Sequence, residues 1–131
     1  MASLGGVETL VDAHAEIARV VGADDTAEAL GSGDVPVLAT PRVVAWLEGA
    51  TVAALRGRLK PGETSVGVRV EIDHRAPSAV GELIRADARV VRHAGRAVDF
   101  GGRARSATGD VIAEGTVGRV IVDRARFVSR L

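Results

Sequence analysis

One charge stands in the run Val43 to Leu55, VVAWLEGATVAAL, and it belongs to Glu48. Arg42 and Arg56 bracket the run. A helix that is apolar on all sides is a buried helix. A carboxylate on such a helix is costly unless it is paired, hydrogen-bonded or protonated. Glu48 is therefore a candidate for proton transfer or nucleophilic attack, weighed against a buried carboxylate that is only structural. Two other residues carry suitable chemistry. His74 ends the alternating stretch 66–74 with the parity of Val66, Val68, Val70 and Ile72, which places it on an inward face. Its imidazole changes protonation near neutral pH. Thr40 precedes Pro41 and offers a hydroxyl at a helix start, where free N–H groups can face a negative oxygen. Its plain reading is an N-cap.

These residues need elements to hold them. Thr40 as cap and Pro41 at the first position start the helix; Arg56, Arg58, Lys60 and Pro61-Gly62 end it. Val43, Leu47, Ala50 and Ala54 form one stripe, and Val44, Glu48, Thr51 and Leu55 the next. Gly49 and the alanines admit another backbone closely. Leu10 to Val21 has the strand period, with a helix as the alternative, and Thr26 to Leu30 reads as a short helical turn. Downstream of Pro61 the period is two throughout. Strands are expected from Val66 to His74 and from Glu82 to Arg92. Two more run from Ala97 to Ala107, with a bulge at Gly101-Gly102, and from Val111 to Val122. The tail from Asp123 is charged and reads as a short helix or frayed end.

Strand, short helix, long apolar helix, then strands on short connections predict an antiparallel sheet wrapped around one central helix. That is an α+β architecture. The 131 residues are read as one domain with an ordered core of about 10–122.

Composition removes several function classes. Lys plus Arg and Asp plus Glu are 17 each, so no basic excess points to nucleic acid. Only Lys60 is lysine, a bias read as that of a GC-rich bacterial coding sequence. No cysteine is present, so disulfides, thiol nucleophiles and thiolate metal sites are out. Three scattered histidines make no metal pattern. His14 lies on the polar parity of its strand and His93 in a turn. No apolar run reaches spanning length, and residues 1–6 lack the form of a signal peptide. The expected setting is the cytoplasm, without a membrane partner.

Residues 37–48, VLATPRVVAWLE, and 66–74, VGVRVEIDH, resemble the fluoroacetyl-CoA thioesterase-like family. The family pattern is a threonine before the long helix, a glutamate 8 residues on, and a histidine 26 further, and Thr40, Glu48 and His74 fall at those separations. A family glycine 7 residues before the histidine, close to the acyl group, matches Gly67. The resemblance covers about 10–122. It implies the hotdog fold, a homodimer with acyl-CoA near the subunit interface, and hydrolysis of a small acyl-CoA thioester. CoA is then part of the substrate and no separate cofactor is needed. The fluoroacetate-resistance enzyme has phenylalanines in the lid before the threonine; here 31–37 has none, which predicts no strong preference for fluoroacetyl-CoA.

Thioester hydrolysis needs a nucleophile or activated water, a proton shuttle and donors for the oxyanion. Glu48 serves either as base on water or as nucleophile, His74 as orienting group or proton donor, and Thr40 as hydroxyl. The helical rise from Thr40 to Glu48 is about 12 Å, so a second subunit or the substrate must bring them together. Two further readings share the fold: a non-catalytic acyl-CoA binding or sensing module, and a hydratase or dehydratase. The Asp and His pair of the latter is not found.

Overall fold

The computed structural model describes residues 10–131. Its strands are β1 (His14–Val20), β2 (Glu63–His74), β3 (Leu83–Ala94), β4 (Ala97–Ser106) and β5 (Val111–Asp123). They form one antiparallel sheet in the order β1-β3-β4-β5-β2. Between β1 and β2 lie a 3-10 turn, Ala23–Asp25, the short helix α1 (Ala27–Leu30) and the central helix α2 (Thr40–Leu55). Helix α3 (Arg124–Ser129) follows β5.

Local chemistry accounts for the elements. Thr26 caps α1, its Oγ1 accepting the Ala29 N–H at 3.2 Å. Gly95 and Gly109 take the left-handed conformation, φ 59° and 92°, that the two tight turns flanking β4 require. The strand residues alternate as their period demands: Ile84, Ala86, Ala88 and Val90 of β3 and Val98, Phe100 and Ala104 of β4 are buried. They meet Val43, Leu47, Ala50 and Ala54 of α2 in one core. Small residues let the layers approach. A Cβ at Gly102 would lie 3.3 Å from Leu47 Cδ2, and one at Gly49 3.3 Å from Ile17 Cδ1.

Several expectations change. The central helix is not buried all round within one chain: Val52 is 43% exposed and Ala45 lies open. The sheet covers one side only. Gly101 and Gly102 pair in regular register, so no bulge sits there. Gly102 makes space for Leu47, and Gly101 faces Val91 on the other side. The register shifts instead between Val90 and Arg92, between Ala104 and Arg105, and between Gly67 and Arg69. The last one matters most. Val68 is the extra residue, 61% exposed, so the valines of β2 do not share one face. A one-residue insertion inverts side-chain parity. Ser65 and Gly67 thus face inward before the bulge, and Val70, Ile72 and His74 after it. Finally, β1 begins only at His14, after a turn closed by Ala13 N–H to Leu10 O at 3.2 Å.

Gly115 shows how tightly β2 and β5 pack: a Cβ there would fall on the Glu71 carbonyl oxygen. Gly115→Ala must push the two strands apart, at a cost of about 1–3 kcal/mol. Urea denaturation measures this; an unchanged midpoint would show that the strands accommodate the methyl group freely.

Candidate active site

Thr40 and His74 are brought into contact. Thr40 Oγ1 and His74 Nδ1 lie 2.8 Å apart, across 34 residues of chain. The expected capping role of Thr40 does not occur. Ala39 holds the N-cap position and Thr40 is already helical, so its hydroxyl is free for the imidazole. Two anchors fix this end of α2. The Ala39 N–H donates to Asp25 O at 2.9 Å, and the Leu38 N–H to Ser78 O at 2.9 Å. Arg42 Nε also reaches Asp25 Oδ1 at 2.8 Å. His74 is fixed from the other side, because the Arg75 N–H donates to Ile112 O at 2.7 Å, just past the end of β2.

His74 is half-buried and its Nε2 is buried without a hydrogen-bond partner. Burial lowers its pKa below the ordinary value, and a backbone contribution from Ala76 opposes this. The neutral imidazole is favoured. With Nδ1 unprotonated, the Thr40 hydroxyl donates to it, the geometry of a nucleophile beside its base. With Nδ1 protonated, the ring donates and the threonine proton is free for an oxyanion.

Glu48 lies elsewhere, and its partner is one that the spacing did not single out. Arg119 of β5 stands 3.4 Å from Glu48, Nη1 to Oε2. Its side chain is 8% exposed against 35% for Glu48. Arg119 is held more firmly by β2: Nε donates to Ser65 Oγ at 2.8 Å and Nη2 to Ser65 O at 3.2 Å. Burial lowers the guanidinium pKa and Glu48 opposes that; the group stays charged. At 3.4 Å the pair is loose for a charge-assisted bond, so Glu48 keeps freedom to meet another group. The signal for Arg119 was present. Ala113, Gly115, Val117, Arg119 and Ile121 share a parity, and an arginine on an inward apolar face needs a partner.

Gly67 completes this second cluster. It is the register partner of Arg119, and a Cβ on it would collide with Glu48 Oε2. Any side chain at position 67 would displace the carboxylate. Within one chain, no hydrogen bond or ion pair among the described residues joins Glu48 to Thr40 or His74. The four residues singled out thus form two clusters: Thr40 with His74, and Glu48 with Gly67. A cleft of about 250 Å³ opens beside the first, lined by Leu38, Ala39, Thr40, His74, Ala76 and others.

His14 is exposed and bonds the Asp12 carbonyl at 2.9 Å; His93 bonds that of Gly95 at 3.0 Å. Trp46 is partly buried against the core. Among the described residues no cluster of His, Cys, Asp and Glu could hold a metal ion, and no helix is long and apolar enough to cross a membrane.

The sheet order, the helix it packs on and this site can be set beside known proteins. The solved fluoroacetyl-CoA thioesterase FlK superposes with a TM-score of 0.84 at 26% identity, over 92% of this chain and 93% of its own. A Thermus thermophilus member of the thioesterase superfamily gives 0.82 at 30% identity, over 89% and 86%. A hot-dog-like protein from Thermanaerovibrio acidaminovorans gives 0.84 at 25% identity, over 94% and 91%. No curated protein matches the sequence. The fold and these likenesses define a hotdog-fold thioester hydrolase. The family model described as fluoroacetyl-CoA-specific thioesterase matches residues 21–125, and the chain belongs to that family.

The depressed pKa of His74 carries a sign. Between the folded and unfolded pKa values the unfolded chain binds more protons, so stability rises with pH there. The contribution is fully present above the ordinary histidine value of 6.5 and is lost as pH falls through the lowered folded value. Wild type should therefore lose more stability between pH 7 and pH 5 than His74→Gln. Parallel denaturation curves for the two proteins over that range would refute the assignment.

Proposed function

We propose that this chain hydrolyses a small acyl-CoA thioester to the free acid and CoA, as a cytoplasmic homodimer, with Thr40, Glu48 and His74 catalytic and Gly67 beside the acyl group. The observation that carries the reading is the 2.8 Å contact of Thr40 and His74 at the mouth of a cleft. The family match supports it, and variants of FlK have been solved with acetyl-CoA and with fluoroacetate and CoA. In the reaction, water adds at the thioester carbonyl and the C–S bond breaks. The thiolate takes a proton as it leaves. His74 carries protons, the Thr40 hydroxyl orients or stabilises the carbonyl oxygen, and Glu48 takes the proton of water; in the alternative course Glu48 attacks the carbonyl, CoA leaves, and water opens the resulting mixed anhydride. Arg119 holds Glu48 in place. CoA enters with the substrate, and no other cofactor is required.

The second subunit joins the clusters. β2 is an edge strand with Val68 exposed on it, and Val52 exposes apolar surface on the central helix. A free edge invites another strand, and a two-fold axis beside β2 pairs the edge with its own copy. The exposed sides of the two central helices then cover one another. In that arrangement Glu48 of one protomer can complete the Thr40 and His74 site of its partner. The solution mass should be twice the 13.5 kDa of one chain. A dilute, active species of single-chain mass would rule the dimer out.

Glu48→Gln tests the chemistry. It keeps the shape and removes the base, so thioester cleavage should fall by about a hundred- to ten-thousand-fold. The fold and acyl-CoA binding should survive. Free-thiol release over an acyl-CoA panel, with melting temperature measured in parallel and His74→Ala alongside, gives the answer. A variant that melts normally and cleaves at the wild-type rate removes Glu48 from catalysis. Binding by wild type without thiol release would favour a sensing module.

A further inference from the structure

The cleft at Thr40 and His74 has walls that say what enters it. Ala27, Val37, Ala39, Ala76 and Pro77 line it, and Ser32 stands among them. Leu38 adds a larger apolar side chain, and Thr40, His74 and Arg75 supply the other polar ones. The walls are pinned rather than loose. Val37 bridges to Ala79, the Ala27 N–H donates to Val37 O at 2.8 Å, and the Ser32 N–H to Ala27 O at 3.0 Å. Arg75 also borders the cleft, but its guanidinium is engaged: Nη1 lies 2.9 Å from Glu114 and Nη2 3.9 Å from Asp73.

Resting on the thioesterase reading above, we infer that this cleft is the acyl pocket and selects uncharged aliphatic acyl groups longer than acetyl. The size argument is direct. A volume of 250 Å³ is several times the share of about 30 Å³ that one water takes in the liquid. An acetyl methyl group leaves most of that space to water against apolar walls. Each further methylene that leaves water for this surface is worth about a fourfold gain. Isovaleryl and hexanoyl add three and four carbons to acetyl, and burial of even two of these gives roughly tenfold or more. Charge works in the other direction for acyl groups ending in a carboxylate. Glu114 and Asp73 stand beside the rim cation Arg75, so a carboxylate ending the acyl group meets two like charges there as well as the arginine.

The test is kcat/KM by thiol release for acetyl-, isovaleryl-, n-hexanoyl- and succinyl-CoA, on wild type and on Ala76→Phe and Ser32→Phe. Wild type should favour isovaleryl or hexanoyl over acetyl by at least about tenfold, with succinyl well below hexanoyl. Each phenylalanine should cut the hexanoyl-to-acetyl ratio by about tenfold or more, because it fills the cleft. Ser32 is exposed, so Ser32→Phe decides the matter if Ala76→Phe does not fold. Acetyl turned over as well as the longer chains, or a ratio unmoved in the folded variants, overturns the pocket and leaves the thioesterase reading standing. No turnover of any acyl-CoA overturns both.

Discussion

The ion pair of Glu48 with Arg119 is the contact on which the site depends. It joins the central helix to β5 over the top of β2, and it is possible because β2 has no side chain at Gly67. A carboxylate on an apolar helix needs a partner or water. Arg119 is itself costly to bury. Two hydrogen bonds to Ser65 satisfy most of its fork, and the remaining nitrogen reaches Glu48 at the long distance of 3.4 Å. The arginine is therefore anchored to the sheet and only leans on the carboxylate. Such an arrangement keeps Glu48 in place without saturating it.

The bulge at Val68 makes this geometry available. Without the extra residue, β2 could not turn both Gly67 and His74 inward, because they have opposite parity relative to the paired strand. The insertion lets one strand serve both clusters. Its first half opens room for Glu48 and its second half carries His74 to Thr40. Placing Val68 on the surface is the cost, and that surface lies on an edge strand of the sheet.

The helix sets the remaining constraint. Its pitch separates Thr40 from Glu48 by about 12 Å along the axis, more than any side chain spans. The two ends of the site are thus built separately, one against the 23–39 segment and β2, the other against β5. That spacing, and not any property of the residues themselves, keeps the two clusters apart within one chain.

The sequence by itself determined a good deal. Periodicity alone located the central helix and the four later strands, because a half-buried strand must alternate and a covered helix must carry apolar stripes. It also marked Glu48, Thr40 and His74, since a lone carboxylate in an apolar run and a family spacing are local facts. What it misplaced were features decided between strands. The hydroxyl of Thr40 reads locally as a cap, yet Ala39 takes that place and the imidazole of a residue 34 positions away takes the hydroxyl. The glycine pair at 101–102 reads as a bulge, yet it is regular and Gly102 makes room for Leu47, while the bulge that matters sits at a valine. Arg119 was legible only as an oddity of parity; its partner could not be read, because Glu48 is 71 residues distant and nothing along the chain encodes that approach. Local propensity and period are written in neighbouring residues, whereas register, bulges and ion pairs are settled by which backbones meet, and only the tertiary structure fixes that.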